Sequence, residues 1–445
     1  MRLRMLSANE VIDLQRACVE ESALESRRLE AIAEALRPEL HPSSVNIPKD
    51  AQPEMLTYAR KARTNYLPLV VDILVQSLRV VGFRGTQSRE NLAVWDIWQA
   101  NGMDAKQAGL IRGAVAFGHS YGIVLPGDPV PVMAARSARK LTAMYVDPLD
   151  DMWPVYALDK VDASTNRLID ANHIYTISRS RDGRWALTDE QEHGVGVCPV
   201  VRFRDRVDLD LDMPQGVVES LIPIQSRIDE TVFGMLTAQH FGAFHQRWVT
   251  GWTAPKDANG NTKSLKSSAK NLWTFEDPDV KAGQFQASDL KGYIDSQQSG
   301  VRDIAAISQV PPQALLGQMA NLSAEALAAT EAGKDRRAAE IETSLGESFE
   351  QYLRLAANIA GNPDAAGDDS AQVRWADTTA RSLAQVVDAL GKMATMLGIP
   401  PQGLWDRVPD ATDQDIAEWK ALAESNDVLG QLAGQFARQA DGIDK

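Results

Sequence analysis

Cysteine and histidine are scarce in this sequence of 445 residues, which holds two cysteines and six histidines. Cys18 and Cys198 lie far apart, so we expect two reduced thiols rather than a disulfide framework. His240 and His245 are five residues apart, whereas two histidines that bind one metal ion from a helix face are usually four apart. The sequence therefore predicts no metal site and no cofactor.

Long apolar runs and nucleotide-binding loops are also missing. The most apolar stretch, at 66–83, is interrupted by charged and polar residues and is too short to span a bilayer. The N-terminal residues lack the apolar core of a signal peptide. Neither G-x-x-x-x-G-K-[ST] nor G-x-G-x-x-G occurs, which argues against an ATP- or dinucleotide-binding loop. We expect a soluble protein, made in the cytoplasm, without a membrane partner.

Basic residues are in the minority. The sequence has 46 lysines and arginines and 60 acidic residues, which gives a formal net charge of −14. Proteins that hold nucleic acid phosphates firmly usually present a basic surface. An acidic chain repels DNA at long range unless its basic residues are gathered on one surface. The hydrophobic share of 44% is ordinary for a folded protein.

Hydrophobic periodicity divides the chain into a helical part, a β part and a second helical part. Apolar residues at helical spacing predict helices over 7–36, 66–81, 90–100 and 104–117, with a loop at 41–53. Short β-branched runs separated by turn residues predict an antiparallel β region from Tyr121 to Arg204, with a hairpin turn at R-D-G-R. The helical period then returns, and it predicts helices over 217–241, 288–309, 323–360, 376–397 and 412–438.

Gly118, Ser120 and Gly122 form G-x-S-x-G, the nucleophile-elbow pattern of serine hydrolases. The elbow needs a strand before the serine and a helix after it, but here a predicted helix precedes and a predicted strand follows. We therefore interpret the stretch as a helix-to-strand turn that uses glycine, and we expect no catalytic residue and no enzyme activity. A serine hydrolase that uses Ser120 is the alternative interpretation.

A family resemblance rests on the stretch at 289–356, D-L-K-G-Y-I-D to Y-L-R-L-A. A helix ends there in a V-P-P turn, a loop with Gly317 and Asn321 follows, and S-x-E-A-L then opens a long helix. This arrangement resembles the portal proteins of tailed phages, in the branch common among siphophages of actinobacteria. Segments in the same order, including G-F-R-G and W-D-I-W-Q-A-N-G, extend the similarity over roughly 10–420.

The resemblance implies an α+β, mainly helical portal fold with wing, stem, clip and crown, assembled as a ring of twelve subunits at one capsid vertex of the virion. DNA would enter and leave through the central channel. The implied regions are the wing (1–216, with its β region at 121–205), stem helix 1 (217–241), the clip (242–287), stem helix 2 (288–310), the tunnel loop (311–322), the long wing helix with a linker (323–375) and the crown with a C-terminal tail (376–445).

The resemblance also implies partners and DNA-facing residues. The partners are other copies of the chain, double-stranded DNA, the terminase large subunit, the head–tail connector, the major capsid protein and the scaffold. In the stem, Lys291 and Arg302 are candidates for rings of positive charge that face the channel, and a solvated helix face is the alternative interpretation of both. Those of the tunnel loop would be Pro311, Pro312, Gln313, Gly317, Gln318, Met319 and Asn321. Another head–tail adaptor of the virion is a further alternative.

Overall fold

Helices and antiparallel strands both occur in the structure, a computed structural model, so the α+β, mainly helical class is confirmed. The structure describes residues 5–37, 53–85, 88–149, 152–210, 214–243, 247–252, 279–284, 289–317, 324–376, 383–408, 411 and 413–426. Within these ranges, no helix is both long and apolar enough to cross a membrane.

The first predicted helix is in fact two helices, α1 (Ala8–Glu21) and α2 (Ala23–Leu36), which meet at Ser22. The chain breaks there because the two helices pack on different partners. In α1, Val11 and Cys18 join a core cluster with strand residues near 158–177, whereas Ile32 of α2 belongs to the main core. Ser7 and Glu10 form a capping box at the start of α1.

The prediction over 66–81 is correct for α4 (Leu67–Gln76) but wrong at its end, where β1 (Val80–Arg84) begins. β1 pairs antiparallel with a strand at Gln372–Trp375, close to the other end of the chain. A short helix that was not predicted, α3 (Pro53–Lys61), precedes α4. The rest of the predicted loop at 41–53 lies outside the described residues. α5 (Ser88–Ala100) and α6 (Met103–Phe117) follow β1 close to their predicted positions.

The predicted β region is present and forms two antiparallel sheets. The strands are β2 (His119–Leu125), β3 (Val132–Ser137), β4 (Leu141–Met144), β5 (Tyr156–Lys160), β6 (Thr165–Ile169), β7 (His173–Arg179), β8 (Trp185–Glu192) and β9 (Val200–Arg204). One sheet has the order β3-β2-β9 and the other the order β4-β5-β6-β7-β8. R-D-G-R is the turn between β7 and β8, and Gly183 supplies the positive φ of 86° that this turn requires.

The second helical part contains α7 (Val217–Ala243), a ribbon of β10 (Arg247–Thr250) and β11 (Lys281–Gln284), α8 (Lys291–Ser308), α9 (Pro312–Leu316) and α10 (Ala324–Ile359). After α11 (Pro363–Ala366) comes β12 (Gln372–Trp375), the partner of β1. Helices α12 (Leu383–Met396) and α13 (Asp413–Asn426) lie inside the two predicted C-terminal helices. Ser323, the serine of the S-x-E-A-L stretch, lies outside the described residues.

The main core is centred on α10. Its Phe349 and Tyr352 lie edge-on to Phe203 of β9, with ring centroids 4.7 and 5.6 Å apart. The hydroxyl of Tyr352 donates to the backbone carbonyl of Ala134 at 3.1 Å. The long helix is therefore fixed against the three-stranded sheet.

Candidate functional site: the α7–α8 pair and the turn that follows

The helices α7 and α8 approach each other closely because glycines stand at their contacts. A Cβ on Gly300 would lie 2.7 Å from Cγ1 of Ile228, and a Cβ on Gly234 would lie 3.2 Å from the ring of Tyr293. Close packing of this kind makes the pair one rigid unit, because small residues let the two backbones interlock.

A network of polar side chains ties this pair to the segment before α4. Oε1 of Gln225 accepts from the Tyr66 backbone N–H at 3.0 Å, and its Nε2 donates to the Thr64 carbonyl at 3.0 Å. Nε2 also donates to Oδ1 of Asp229 at 2.9 Å. Nε2 of Gln297, on α8, donates to the Tyr66 hydroxyl at 3.0 Å. Because buried polar groups are costly to leave unpaired, this network fixes how the helix pair sits on the N-terminal part.

A tight turn ends α8. Gln309 adopts a left-handed conformation with φ of 58°, and the Val310 N–H donates to the Ala305 carbonyl at 3.1 Å. Pro311 and Pro312 follow, and neither can continue the hydrogen-bonded helix. The start of the predicted loop at 311–322 is nevertheless helical, because Pro312 is well suited to the first position of α9 and Gly317, with φ of 64°, ends it.

The structure places only some of the residues expected in the tunnel loop. Pro311 is buried, while Pro312 and Gly317 are exposed. Nε2 of Gln313 donates to Oγ1 of Thr330 at 2.9 Å, which ties the turn to α10. The remaining expected residues, Gln318, Met319 and Asn321, lie outside the described residues.

The two cations expected to face the channel are both exposed but are not close together. Lys291 is the first residue of α8, and Arg302 lies three turns further on. At a rise of 1.5 Å per residue, the two positions are about 16 Å apart along the helix axis. Lys291 and Arg302 therefore do not form a single cationic site.

A cleft of about 830 Å³ lies between the end of α8, the turn and α10, and it was not predicted from the sequence. Its lining residues are Arg302, Ala305, Ala306, Gln309, Val310, Pro311, Pro312, Ala329, Thr330, Gly333, Arg336 and Glu340. Ala329 and Gly333 are four residues apart, so they lie on the same face of α10. Small residues at both positions are the sequence feature that could have indicated the close approach of a second element there. A Cβ on Gly333 would lie 3.5 Å from the Gln309 carbonyl. Arg336 is the cleft residue that sequence reasoning missed.

A buried ion pair holds α10 to the end of β9. A guanidinium nitrogen of Arg337 contacts Oδ2 of Asp205, and the other terminal nitrogen contacts Oε2 of Glu340 at 2.7 Å. Burial raises the pKa of Asp205 to about 6, although Arg337 opposes the shift. The Asp205 N–H also donates to the Gly118 carbonyl at 3.0 Å. This residue therefore joins three segments that are distant in the sequence.

The geometry around Ser120 does not support an active site. Its hydroxyl is 1% exposed and donates to the Leu110 carbonyl at 2.7 Å. Burial lowers the pKa of the adjacent His119 to about 3, so its ring is neutral, and Nε2 lies 3.4 Å from a carboxylate oxygen of Glu25. Ser120 lies in a strand after a helix, as the order of elements predicted. Among the described residues, no group of three or more His, Cys, Asp or Glu side chains could hold a metal ion.

Comparison with known proteins identifies the family. The family model described as "Phage portal protein, SPP1 Gp6-like" matches residues 27–428. This chain therefore belongs to that family of phage portal proteins, which confirms the family inferred from residues 289–356. The portal protein of Mycobacterium phage L5 is 25% identical over 370 residues, covering 78% of this chain and 74% of the relative. That of Mycobacterium phage D29 is 24% identical over 376 residues, covering 80% and 76%.

Solved structures that align with this chain come from gene transfer agent particles. A chain of the virion of the native particle has a TM-score of 0.44 and 12% identity, covering 80% of this chain and 96% of that chain. A chain of the neck of the native particle, computed with C12 symmetry, has a TM-score of 0.45 and 13% identity, covering 81% and 97%.

Proposed function

We propose that this portal protein forms a ring of twelve identical subunits at one vertex of the phage capsid, and that double-stranded DNA is packaged and ejected through its central channel. The observation that carries the proposal is the rigid α7–α8 pair joined to α10 by the proline turn, in a chain of the portal family. A ring of this kind closes when one head-to-tail contact repeats with a rotation that divides a full turn.

Within this proposal, each region of the chain has a role. The helices α7 and α8 are the stem, and 311–322 is the tunnel loop. Residues 242–287 are the clip, in which the chain runs outward along β10 and returns along its antiparallel partner β11. The region before 217, together with 323–375, builds the wing. Residues 376–445 form the crown and the C-terminal tail. The buried contacts between α10 and the three-stranded sheet support one rigid wing that carries the stem.

The proposed partners follow from these roles. The clip binds the terminase large subunit during packaging and the head–tail connector afterwards, while the wing contacts the major capsid protein and the scaffold. The chain is made in the host cytoplasm, becomes part of the virion, and supplies no catalysis of its own. The buried Ser120 hydroxyl, already bonded to a backbone carbonyl, supports that last statement.

Weak contacts with DNA fit a channel better than tight ones, because the duplex must slide. The net charge of −14 disfavours firm binding of phosphates. We propose that Gln318, Met319 and Asn321 touch the duplex in passing, and that Lys291 adds positive charge along the stem.

Electron microscopy of the purified protein in negative stain tests the ring. The proposal expects rings of about twelve subunits with an axial hole, and compact monomers at every protein concentration would refute it. The tunnel loop has its own test, in which Gln318 and Asn321 are both changed to Ala. Rings should still form while packaging of DNA into proheads falls, and unchanged packaging would show that 311–322 does not contact DNA.

A further inference from the structure

The cleft beside the proline turn combines apolar walls with two arginines at its edge. Ala305 and Ala306 of α8 and Ala329 of α10 line it, together with Val310 and Pro311. Arg302 and Arg336 are exposed and lie on the two helices that border it. An opening with this lining fits a peptide segment that carries both acidic and branched apolar side chains, since each kind of group then meets its complement.

The two arginines of the cleft are available for such a segment. Within the described part of the chain, neither lies within ion-pair distance of a carboxylate, and Nε of Arg336 donates to the Ala332 carbonyl at 3.1 Å. The nearby carboxylates are already engaged: Glu340 binds Arg337 at 2.7 Å, and Asp303 binds Arg227 at 2.5 Å.

The chain itself carries a segment of the complementary chemistry between β9 and α7. Val207 and Leu209 are 52% and 78% exposed, and Asp208 and Asp210 alternate with them. The Asp210 N–H donates to Oδ1 of Asp208 at 3.0 Å, which gives the segment a defined local turn. We call residues 207–210 the acidic–apolar segment.

The acidic–apolar segment does not occupy the cleft of its own subunit, because none of residues 207–210 lines the cleft and both Val207 and Leu209 are exposed. The segment begins just after Asp205, whose carboxylate binds Arg337. A head-to-tail contact between identical subunits needs two different, complementary surfaces on each copy, and this placement supplies them.

We propose that the acidic–apolar segment of one subunit docks into the cleft of its neighbour in the ring, with Asp208 and Asp210 facing Arg302 and Arg336. Val207 and Leu209 then lose their exposure against the alanine wall of the cleft. The inference rests on the ring proposed above. It assigns Arg302 to the contact between subunits rather than to DNA.

Charge reversal tests the contact. One variant carries Arg302→Glu and Arg336→Glu, and a second carries Asp208→Lys and Asp210→Lys. Each should shift ring assembly to roughly tenfold higher protein concentration or more, because each places like charges opposite one another. Mixing the two variants in equal amounts should restore rings, since each reversed surface then meets its opposite, and native mass spectrometry should show alternating subunits. One chain that carries all four changes should also assemble.

Matched controls separate this contact from general effects of charge. Two control variants, Arg181→Glu with Arg184→Glu and Asp182→Lys with Asp189→Lys, change exposed residues on or next to the turn between β7 and β8. They alter the charge by the same four units as the test variants and should leave assembly as in the wild type. Circular dichroism reports whether each variant is folded. If the glutamate variant unfolds, Arg302→Gln with Arg336→Gln takes its place, and it should still weaken assembly.

Three results would overturn the inference. In the first, folded variants form rings at wild-type concentrations. In the second, mixing the two variants fails to restore rings. In the third, the arginine variant assembles normally but packages less DNA, which would mean that the cleft faces the duplex. If the wild-type chain itself forms no ring, the proposed function fails instead, so the two failures are distinguishable.

Discussion

Changing Gly118 to Ala should destabilise the junction between α6, β2 and α7. Gly118 has φ of 95°, and a Cβ there would lie 2.2 Å from the carbonyl oxygen of Pro214 and 2.5 Å from its carbon. These atoms belong to the backbone, so no side-chain rotation can relieve the contact, and the segment before α7 must move. The movement would also disturb the hydrogen bond from the Asp205 N–H to the Gly118 carbonyl.

Two contributions set the size of the effect. A left-handed conformation costs a residue with a Cβ about 1–2 kcal/mol. Overpacking against a fixed neighbour adds about 1–3 kcal/mol, which brings the expected loss for Gly118→Ala to roughly 2–5 kcal/mol of unfolding free energy. Gly102→Ala isolates the first contribution, because Gly102 has φ of 60° with nothing within 4 Å of the added Cβ.

Urea unfolding followed by circular dichroism measures the series. Gly109→Ala completes it: Gly109 lies in α6 with nothing within 4 Å of a Cβ, so this change should stabilise by about 0.5–1 kcal/mol. The expected order of stability is Gly109→Ala, wild type, Gly102→Ala and then Gly118→Ala. Equal midpoints for the changes at 102 and 118 would show that the approach of Pro214 has no energetic consequence, and the reasoning would fail.

Three further changes probe the turn after α8, the elbow-like motif and the buried ion pair. Gln309→Gly should raise the unfolding free energy by about 1 kcal/mol in urea titration, because glycine adopts φ of 58° without strain; an unchanged or lower midpoint would contradict this. Ser120→Ala should lower the unfolding free energy by about 1 kcal/mol, because one buried hydrogen bond is lost, and rings should still form. A fluorophosphonate probe should not label the wild type, and labelling of Ser120 would restore the hydrolase interpretation. Because burial raises the pKa of Asp205 from 3.8 to about 6, its contribution to stability is present below pH 4 and lost as pH rises through 6. Asp205→Asn removes this dependence. The unfolding free energy of the wild type minus that of the variant should therefore fall by about 2 kcal/mol between pH 4 and pH 7, and a constant difference would contradict the raised pKa.

The long helices could be predicted because their signal is local. Apolar residues at helical spacing predicted α7 and α8 within a few residues of their observed ends, and no distant partner is needed to produce that pattern. Strand β1 could not be predicted in this way, because it forms only by pairing with β12, almost 300 residues later. The break at Ser22 has a similar origin, since it depends on which core each half of the helix meets.

One part of the candidate site could be predicted from the sequence and another part could not. The turn after α8 was predictable from Pro311 and Pro312, because proline limits its own backbone and that of the residue before it. The cleft was not predictable, since it exists only where the end of α8 packs beside α10. Arg336 becomes a candidate for function only when it is seen opposite Arg302 across that opening.

The sequence by itself determined the long helices, the β region between them, the family, and the unsuitability of Ser120 as a nucleophile, because each of these depends on residues that are neighbours along the chain or in fixed order. The tertiary structure decided why the two glycines of that motif are needed. Gly118 passes against the Pro214 backbone, and a Cβ on Gly122 would lie 2.6 Å from the ring of Tyr352. Both constraints come from segments distant in sequence, and packing at that range is set only when the whole chain has folded.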